Sequence, residues 1–344
     1  MIASEIKERI RRSIVLGDYS RSGRLPTREE FSRSCNASKA TVQKALASLE
    51  DEGFIISKGS MGTFVNPQSP YLTNVAIILP CRKETLGMRN QLHSLLEYQH
   101  SELEKCVGKK LRYFYIDTAR DGEDDFQRVA EDAHYSRLAG TIFPFAPQPW
   151  MLEPFHTHHL PVVALTDEQV AGASTVWVDY ADFLRRSLEL CKRNGCRRPA
   201  LLVNPSLPYH YIESYLALQK ELGFPQEKGL IQAQDPSPWL RHAILPFFLG
   251  DAPADALILT DQILLETTFR ELLELGKIPG RDLLLVSQAT FPQLNHTALP
   301  VHFLGFSLHK IIACCLDALE ELRTTGMPVQ KHQLVPADAS SSND

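Results

Sequence analysis

The chain has 344 residues, of which 44% are hydrophobic, and a formal net charge of −5. This length predicts two or three compact units with apolar cores rather than one small domain. The seven cysteines contain no CxxC pair, and no pair of histidines has zinc-finger spacing. These features argue against a disulfide framework and a structural zinc site, and they predict reduced thiols in a cytoplasmic protein.

Neither a signal peptide nor a transmembrane segment is predicted. Charged residues interrupt the apolar positions of the N-terminal stretch MIASEIKERIRRSIVLGDY. His302, His309 and Lys310 interrupt the most apolar late stretch well before it reaches spanning length. We therefore expect no contact with a membrane.

Basic residues are concentrated at the N-terminal end of the chain. Residues 1–66 carry 11 Lys and Arg against 8 Asp and Glu, whereas the remainder carries 25 against 33. A basic segment on an acidic protein indicates a polyanionic partner such as nucleic acid, although many solvated surfaces have a similar balance.

Two helices are predicted first. Ile6, Ile10 and Ile14 recur at four-residue spacing, which gives the first helix a single apolar stripe. Thr27 and Glu30 form a T-x-x-E capping box, in which each side chain satisfies a free backbone amide, and this box begins the second helix.

A third helix and a hairpin follow. Ser38 is the expected N-cap, Val42 and Leu49 lie on the apolar face, and Gly53 ends the helix. The runs FIIS and TFVN around the turn KGSMG have the pattern of a β-hairpin. This order of elements is that of a winged helix-turn-helix, whose third helix enters the DNA major groove while the wing touches the backbone or minor groove.

DNA contacts are expected from the second helix, the exposed face of the third helix and the wing. The alternative is that Lys39, Gln43 and Lys44 form an ordinary solvated helix face. Short and amide side chains next to a glycine-bearing hairpin favour the DNA-binding interpretation. The candidate DNA-binding residues are Arg28, Ser38, Lys39, Ala40, Thr41, Gln43, Lys44, Lys58, Gly62 and Thr63.

The segment LPTREEFSRSCNASKATVQKALASLEDEGFIISKGSMGTFV, residues 25–65, resembles the GntR family of regulators. The family pattern runs LPSERELA, SRTTVRRAL, LEAEGL and a wing that ends in GTFV. The resemblance implies that Lys39 and Gln43 occupy the positions of DNA-contacting arginines. It also implies that Thr41 occupies the position of a threonine that contacts phosphate or base.

The segment departs from that family pattern at several positions. Glu29 stands where the family has an arginine, Arg28 is displaced from it by one residue, and Ser60 replaces the first wing glycine. Gln43 in place of an arginine favours adenine over guanine contacts. These departures bear on the operator sequence rather than on DNA binding itself.

The rest of the chain alternates apolar runs of strand length with helical stretches. Runs such as VAIILP, GTIFPF, PALLVN and DALILT have the pattern of buried parallel strands, and the alternation predicts βαβ units. Four such runs precede Thr166 and a comparable set follows Thr175, which predicts two α/β lobes.

Ligands of open α/β sheets bind at the carboxyl ends of the strands, and between two lobes they bind in the cleft. For any single candidate, an Asp or Asn after a strand is more often a helix cap than a ligand contact. The candidate effector-binding residues are Arg82, Phe145, Asp179, Asn204, Tyr211, Asp261 and Gln288.

This part of the chain resembles the effector domain of the LacI family, which shares its fold with periplasmic sugar-binding proteins. The segments LPVVAL to PALLVN, DALILTDQ and IPGRDLLLVS carry the resemblance. It implies a homodimeric domain that binds a small polar metabolite, such as a sugar or sugar derivative. Asp179 and Asp261 retain ligand-associated positions, whereas Tyr211 and Gln288 stand where the family has sugar-contacting arginine and aspartate side chains.

The expected fold class is therefore α/β, with an N-terminal winged helix-turn-helix and a periplasmic-binding-protein-like domain with parallel sheets. The expected boundaries are 1–66 for the DNA-binding domain, 67–73 for an extended linker, 74–336 for the two-lobed effector and dimerisation domain, and 337–344 for a disordered tail.

Other functional classes have little support in the sequence. The chain contains no G-x-G-x-x-G after a strand, P-loop, G-x-S-x-G or H-E-x-x-H motif. The part of the chain that follows the winged helix-turn-helix is too short for a pyridoxal-phosphate domain. His156, His158 and His159 are expected to be solvated rather than metal-bound. No enzyme activity, cofactor or metal is expected. A small-molecule-binding protein or enzyme-derived domain, with another role for its winged helix, stays the alternative.

The expected function is that of an allosteric transcription regulator, a repressor, which binds an inverted-repeat operator in double-stranded DNA as a homodimer. A small molecule bound between the lobes is expected to control its affinity for the operator.

Overall fold

A computed structural model describes residues 2–19, 23–80, 94–117, 124–205, 207–227, 230–233, 244–249, 251–292, 297, 299–325 and 332–339. These residues form two compact units. The first consists mainly of described residues within 1–82, 101–175 and 315–331, and the second mainly of those within 176–314 and 332–344. The first unit holds the N-terminal domain and most of the first α/β lobe, and the second unit holds most of the second lobe.

The N-terminal domain has the predicted order of elements. The three isoleucines of the first helix and the apolar face of the third form one buried core, as the sequence predicts. The two strands pair antiparallel, with Ile55 opposite Val65. The elements are α1 (Ala3–Val15), α2 (Arg28–Ser34), α3 (Lys39–Asp51), β1 (Ile55–Ser57) and β2 (Thr63–Val65).

Local hydrogen bonds determine where α2 and α3 begin. The Thr27 amide donates to the Glu30 carboxylate at 2.7 Å, and the Glu30 amide donates to the Thr27 hydroxyl at 3.3 Å, which is the predicted capping box. The Ser38 hydroxyl accepts from the Thr41 amide at 3.1 Å. After α3, Gly53 has a φ of +78°, a backbone conformation that favours glycine.

The segment between the N-terminal domain and the first lobe is packed rather than extended, so the predicted extended linker is wrong in this respect. Residues Pro70–Thr73 form one helical turn, α4. The buried Ser69 hydroxyl donates to the Phe54 carbonyl at 3.1 Å, and the Asn66 side-chain amide donates to the Gly53 carbonyl at 2.9 Å. These bonds tie the segment to the end of α3 and the start of β1.

The first lobe is built around a largely parallel six-stranded sheet. Its order is β13-β7-β6-β5-β3-β4, and the division between the two units falls inside β7. The pairs β3–β4, β3–β5 and β5–β6 are parallel, as predicted. The elements are β3 (Asn74–Pro80), α5 (His100–Val107), β4 (Lys110–Ile116), α6 (Phe126–His134), β5 (Gly140–Phe143), α7 (Pro149–Thr157), β6 (Val162–Leu165), β7 (Ser174–Val178) and β13 (His332–Val335).

The second lobe has a six-stranded sheet of order β14-β12-β11-β10-β8-β9. Among the described residues, the pairs β8–β9, β8–β10, β10–β11 and β11–β12 are parallel, and the edge pair β12–β14 is antiparallel. The elements are α8 (Tyr180–Arg193), β8 (Pro199–Val203), α9 (His210–Leu222), β9 (Ile231–Ala233), β10 (Ala256–Leu259), α10 (Leu265–Glu274), β11 (Leu284–Phe291), β12 (His302–Ser307) and β14 (Asp338–Ala339). The last helix, α11 (Leu308–Thr325), begins in the second unit and belongs to the first unit from Cys315 onward.

One glycine of this sheet allows a close approach of two strands. Gly305 on β12 pairs with Ala289 on β11, and a Cβ atom added at Gly305 would lie 1.8 Å from the Ala289 carbonyl oxygen. No side chain fits there without a shift of the backbone.

The predicted disordered tail begins too early in the chain. Asp338 and Ala339 form β14, in register with Gly305 and Leu304, and the Asp338 carboxylate accepts from the Lys310 ammonium group at 2.7 Å. Sheet pairing therefore orders residues 338–339, while residues 340–344 lie outside the described part of the chain.

A cluster of charged and aromatic side chains joins the N-terminal domain to the first lobe within the first unit. We call Arg11, Glu52, Phe54, Tyr135 and Arg137 the Arg11 cluster. The guanidinium group of Arg11, which is 2% exposed, donates to Glu52 and lies 5.1 Å from the Phe54 ring centroid and 5.2 Å from that of Tyr135. Arg137 lies 3.7 Å from the Glu52 carboxylate and 5.0 Å from the Tyr135 ring centroid.

Candidate nucleic-acid interface and effector site

The solvent-facing side of α3 carries the predicted DNA-contacting residues. Lys39, Ala40, Gln43 and Lys44 are exposed. Thr41 is half-buried, and its hydroxyl lies 2.8 Å from that of Ser38, so these two side chains also hold the first turn of the helix together. The face thus presents two cations and one amide, groups that hydrogen-bond to phosphates and base edges.

Lys39 forms an ion pair with Glu29 on α2. The two side chains are 66% and 63% exposed, and the hydrogen bond from Lys39 holds the pKa of Glu29 below its ordinary value. Glu29 is therefore ionised on the surface that is expected to face DNA. It pairs with the Lys39 ammonium group, which would otherwise be available to a phosphate or a base. Arg28 is exposed at the first position of the same helix.

The wing is a short hairpin with a glycine at its tip. Gly62 has a φ of +106°, and a Cβ atom there would lie 3.1 Å from Nε of Arg24. Lys58 is exposed, and its ammonium group lies 5.0 Å from the Phe64 ring centroid. The half-buried Thr63 accepts through its carbonyl from the Leu25 amide at 2.9 Å. These contacts hold a lysine and a glycine-bearing turn together at the edge of the domain.

Arg24 belongs to this wing surface and was missed by the sequence reasoning. It forms an antiparallel bridge with Phe64, so the segment before α2 runs alongside β2, and its exposed side chain lies against Gly62. In the sequence, Arg24 is a single positive charge two residues before Pro26. Its position at the wing becomes clear only when the structure places this segment beside β2.

In the second lobe, two predicted effector residues contact each other at the carboxyl ends of adjacent strands. The Asn204 side-chain amide after β8 donates to the Asp261 carboxylate after β10 at 2.8 Å. The other Asp261 oxygen accepts from the Ile263 amide at 3.0 Å, so Asp261 also caps a short 3₁₀ turn. The two side chains are 7% and 2% exposed. The cap is thus observed for Asp261, and its role in effector binding stays a prediction.

Gln288 lies on β11, the neighbouring strand. By register it is level with Thr260, one residue before Asp261, and it is 1% exposed. Its amide nitrogen has no hydrogen-bond partner among the described residues. A buried amide without a partner costs about 1–3 kcal/mol, so this group is placed where a polar partner would be favourable.

Tyr211 packs in a group of aromatic rings at the start of α8 and α9. Its ring centroid lies 5.3 Å from that of Tyr180, which in turn lies 5.5 Å from that of Phe306. Tyr211 is 7% exposed, so the residue at the position of the family's sugar-contacting arginine is chiefly an aromatic packing residue here.

The other effector candidates are placed differently. Phe145 is part of the first-lobe core and packs edge-on against Phe143, with ring centroids 5.7 Å apart. Asp179 caps α8 by accepting from the Asp182 amide at 2.9 Å. Arg82 lies outside the described residues. The structure therefore brings together Asn204 and Asp261, places Gln288 beside them, and puts Phe145 in a core.

The histidines of the first lobe have structural contacts. A ring nitrogen of His156 lies 3.0 Å from the Gly172 carbonyl oxygen, and the His158 ring packs edge-on against His134 with centroids 5.0 Å apart. Across the described residues, no group of three His, Cys, Asp or Glu side chains has the arrangement of a metal site. Within those same ranges, no helix has the length and apolar character needed to cross a membrane.

Residues 2–65 match the sequence profile of the bacterial regulatory proteins of the gntR family. The chain is also 31% identical over 110 residues to the HTH-type transcriptional regulator YurK of Bacillus subtilis (strain 168), a match that covers 31% of this chain and 45% of that protein. The chain thus spans less than half of the length of this relative.

Solved structures of LacI-family proteins resemble the remainder of the chain. A LacI-family regulatory protein from Chloroflexus aggregans has a TM-score of 0.59 at 14% identity and covers 78% of this chain and 96% of its own. An Enterococcus faecium LacI-family regulator with bound ribose has a TM-score of 0.55 at 12% identity, covering 78% and 97%. A Weissella paramesenteroides regulator with bound sucrose has a TM-score of 0.55 at 12% identity, covering 77% and 96%.

At these identities the likeness to solved structures shows a shared fold, and that fold is the predicted one. The profile match confirms the predicted resemblance of the N-terminal segment to the gntR family. The chain therefore combines an N-terminal segment that matches the gntR-family profile with an α/β part that has the fold seen in solved LacI-family proteins.

Proposed function

We propose that this protein is a sequence-specific transcription repressor whose affinity for its operator is controlled by a small polar metabolite. The observation that carries the proposal is the exposed face of α3, which lies within the segment that matches the gntR-family profile. A protein that acts on chromosomal DNA works in the cytoplasm, and the six described cysteines are free thiols, as that compartment favours.

On DNA, α3 enters the major groove and the wing touches the flanking backbone. Lys39 and Gln43 contact base edges, Thr41 and Lys44 contact phosphate, and Lys58 with the wing contacts the backbone or minor groove. Two chains pair, so the operator is an inverted repeat with half-sites about one helical turn, roughly 34–36 Å, apart.

The effector is bound at the carboxyl ends of β8, β10 and β11 by a site that includes Asn204, Asp261 and Gln288. A carboxylate and two amides supply both hydrogen-bond acceptors and donors, which suits a ligand with several hydroxyl groups, such as a sugar or sugar derivative. The ribose and sucrose bound to two LacI-family regulators of the same fold support this ligand class.

DNA binding is tested by selecting bound duplexes from a random library with the full-length protein, followed by mobility-shift titration of the enriched sequence. We expect a palindromic sequence whose affinity falls steeply with salt, because phosphate contacts release counterions. Absence of any sequence-selective, salt-sensitive shift would contradict the proposal.

Effector binding is tested by thermal-shift screening of sugars, sugar acids and sugar phosphates. A true ligand raises the melting temperature by mass action. We expect Asp261→Asn to abolish the shift given by the best compound, and Asp282→Asn, which changes an exposed carboxylate of the same lobe, to preserve it. The ligand should also change the mobility-shift affinity. A ligand that stabilises the protein without changing DNA affinity would argue for a binding protein without regulation.

A further inference from the structure

The C-terminal end of α8 brings two cysteines together. The Cys196 amide donates to the Cys191 carbonyl at 3.0 Å, and the Gly195 amide donates to the Lys192 carbonyl at 3.1 Å. Gly195 has a φ of +77°. This pair of bonds with a left-handed glycine is the Schellman motif, in which the side chains at the two outer positions usually form an apolar contact. In this chain both outer positions are cysteine.

The two cysteines occupy the outer positions of this motif, and the backbone hydrogen bond joins them directly. A disulfide requires Cα atoms about 4.4–6.8 Å apart, and a direct backbone hydrogen bond between the two residues keeps them close enough for that span. The reduced pair thus has the backbone arrangement that its oxidised form would need, with little movement of the helix end.

The two sulfur atoms differ in their surroundings. Cys191 is completely buried, whereas Cys196 is half-buried and its Sγ lies 3.8 Å from the Asp255 carbonyl oxygen. The hydrogen bond from the Cys191 thiol lowers the pKa of Cys196, and the same contact raises the pKa of Cys191. Cys196 is therefore the more accessible sulfur of the pair and the one with the lowered pKa, and Cys191 is the buried partner beneath it.

We propose that Cys196 and Cys191 form a reversible intramolecular disulfide when the protein meets hydrogen peroxide. The Cys196 thiolate attacks one peroxide oxygen, the O–O bond breaks, and Cys196 becomes a sulfenic acid while the other oxygen leaves as hydroxide and takes up a proton. The Cys191 sulfur then attacks Sγ of Cys196, and the sulfenic hydroxyl leaves with the Cys191 proton as water. Two thiols and one peroxide give one disulfide and two waters, and a dithiol reductant reverses the step.

The test uses the reduced full-length protein, treated with hydrogen peroxide, alkylated with N-ethylmaleimide and digested with trypsin. Because Lys192 and Arg193 lie between the two cysteines, digestion separates them into peptides 187–192 and 194–197. We expect these peptides to be recovered joined, two hydrogens lighter than their sum, and to separate after treatment with dithiothreitol.

The exposed Cys106 on α5 is the matched reference thiol in the same sample. Cys196 should react roughly tenfold faster than Cys106, since thiolate character increases reactivity. In Cys191→Ser, dimedone should trap a sulfenic acid at Cys196, while Cys106→Ser should leave disulfide formation unchanged. Recovery of peptide 187–192 with its cysteine alkylated after full oxidation of Cys196 would overturn the proposal, as would faster oxidation of Cys106. Each readout in the wild-type protein is independent of how well the variants fold.

Discussion

The ammonium group of Lys39 on α3 is paired with the carboxylate of Glu29 on α2, on the surface that the proposal directs toward DNA. In the related pattern both positions are arginine. The protein therefore holds one of the proposed DNA-contacting cations in an internal ion pair, and on our proposal this pair opens or is shared when DNA binds.

Replacement of the cation should weaken DNA binding. We expect Lys39→Ala to reduce operator affinity by roughly 1–3 kcal/mol if Lys39 contacts a base, and to reduce the salt slope by about one if it contacts a phosphate. Mobility-shift titrations at several salt concentrations separate the two cases. An unchanged operator affinity would contradict the assignment of α3 as the recognition helix.

Removal of the competing carboxylate should have the opposite effect. Glu29→Gln frees Lys39 and removes a negative charge from the interface, so we expect operator affinity to rise about two- to fivefold, in line with the worth of an exposed ion pair. Asp51→Asn is the control, because it removes the same charge from the exposed C-terminal end of α3. An equal gain from both variants would show a general effect of net charge.

The amide at position 43 should determine a base preference. Gln43→Arg restores the side chain of the related pattern, and we expect the preferred base at the contacted position to change from adenine to guanine, with about 1–3 kcal/mol of discrimination. Competition between the selected operator and versions substituted at single positions measures this change. A uniform gain on all sequences would mean that residue 43 contacts phosphate.

The Arg11 cluster should make stability depend on acid pH through Glu52. Burial raises the pKa of Glu52, but the hydrogen bond from Lys7 and the charge of Arg11 outweigh it, so the pKa lies below its ordinary value. The stabilisation is present above the unfolded-state pKa of about 4.3 and is lost as the pH falls through the lower folded-state pKa. We expect Glu52→Gln to reduce stability by about 1 kcal/mol at pH 7 and to flatten this acid dependence. Urea titrations between pH 7 and pH 3 measure both effects, and a parallel pH dependence in the two proteins would contradict the assignment.

The strand contact at Gly305 should tolerate no side chain. We expect Gly305→Ala to destabilise the second lobe by about 3 kcal/mol, because its Cβ would meet the backbone of Ala289. Gly140→Ala is the control: its Cβ would lie 2.8 Å from Cδ2 of Leu319, the tip of a side chain that can move, so about 1 kcal/mol is expected. Thermal unfolding of both variants distinguishes the two cases.

The sequence predicts the features that depend on near neighbours in the chain. The Thr27–Glu30 box, the Ser38 cap and the buried isoleucines of α1 each arise within one or two helical turns, and the strands of the lobes are continuous apolar runs. The Arg11–Tyr135 contact and the position of Arg24 beside the wing join distant segments, and no local pattern encodes them. Tyr211 and Gln288 mark the same limit in the candidate effector site, because their roles depend on which rings and strands surround them.

The Arg11 cluster also affects how far this DNA-binding domain can be exchanged between proteins. A graft of residues 1–66 onto another sensor would expose the Tyr135-facing side of Arg11, and a foreign winged helix placed here would leave Arg137 without Glu52. Chimaeric proteins therefore need compensating substitutions both in the N-terminal domain and in the first lobe. Tyr135 and Arg137 belong to the first lobe in sequence, but they have to be transferred together with the N-terminal domain.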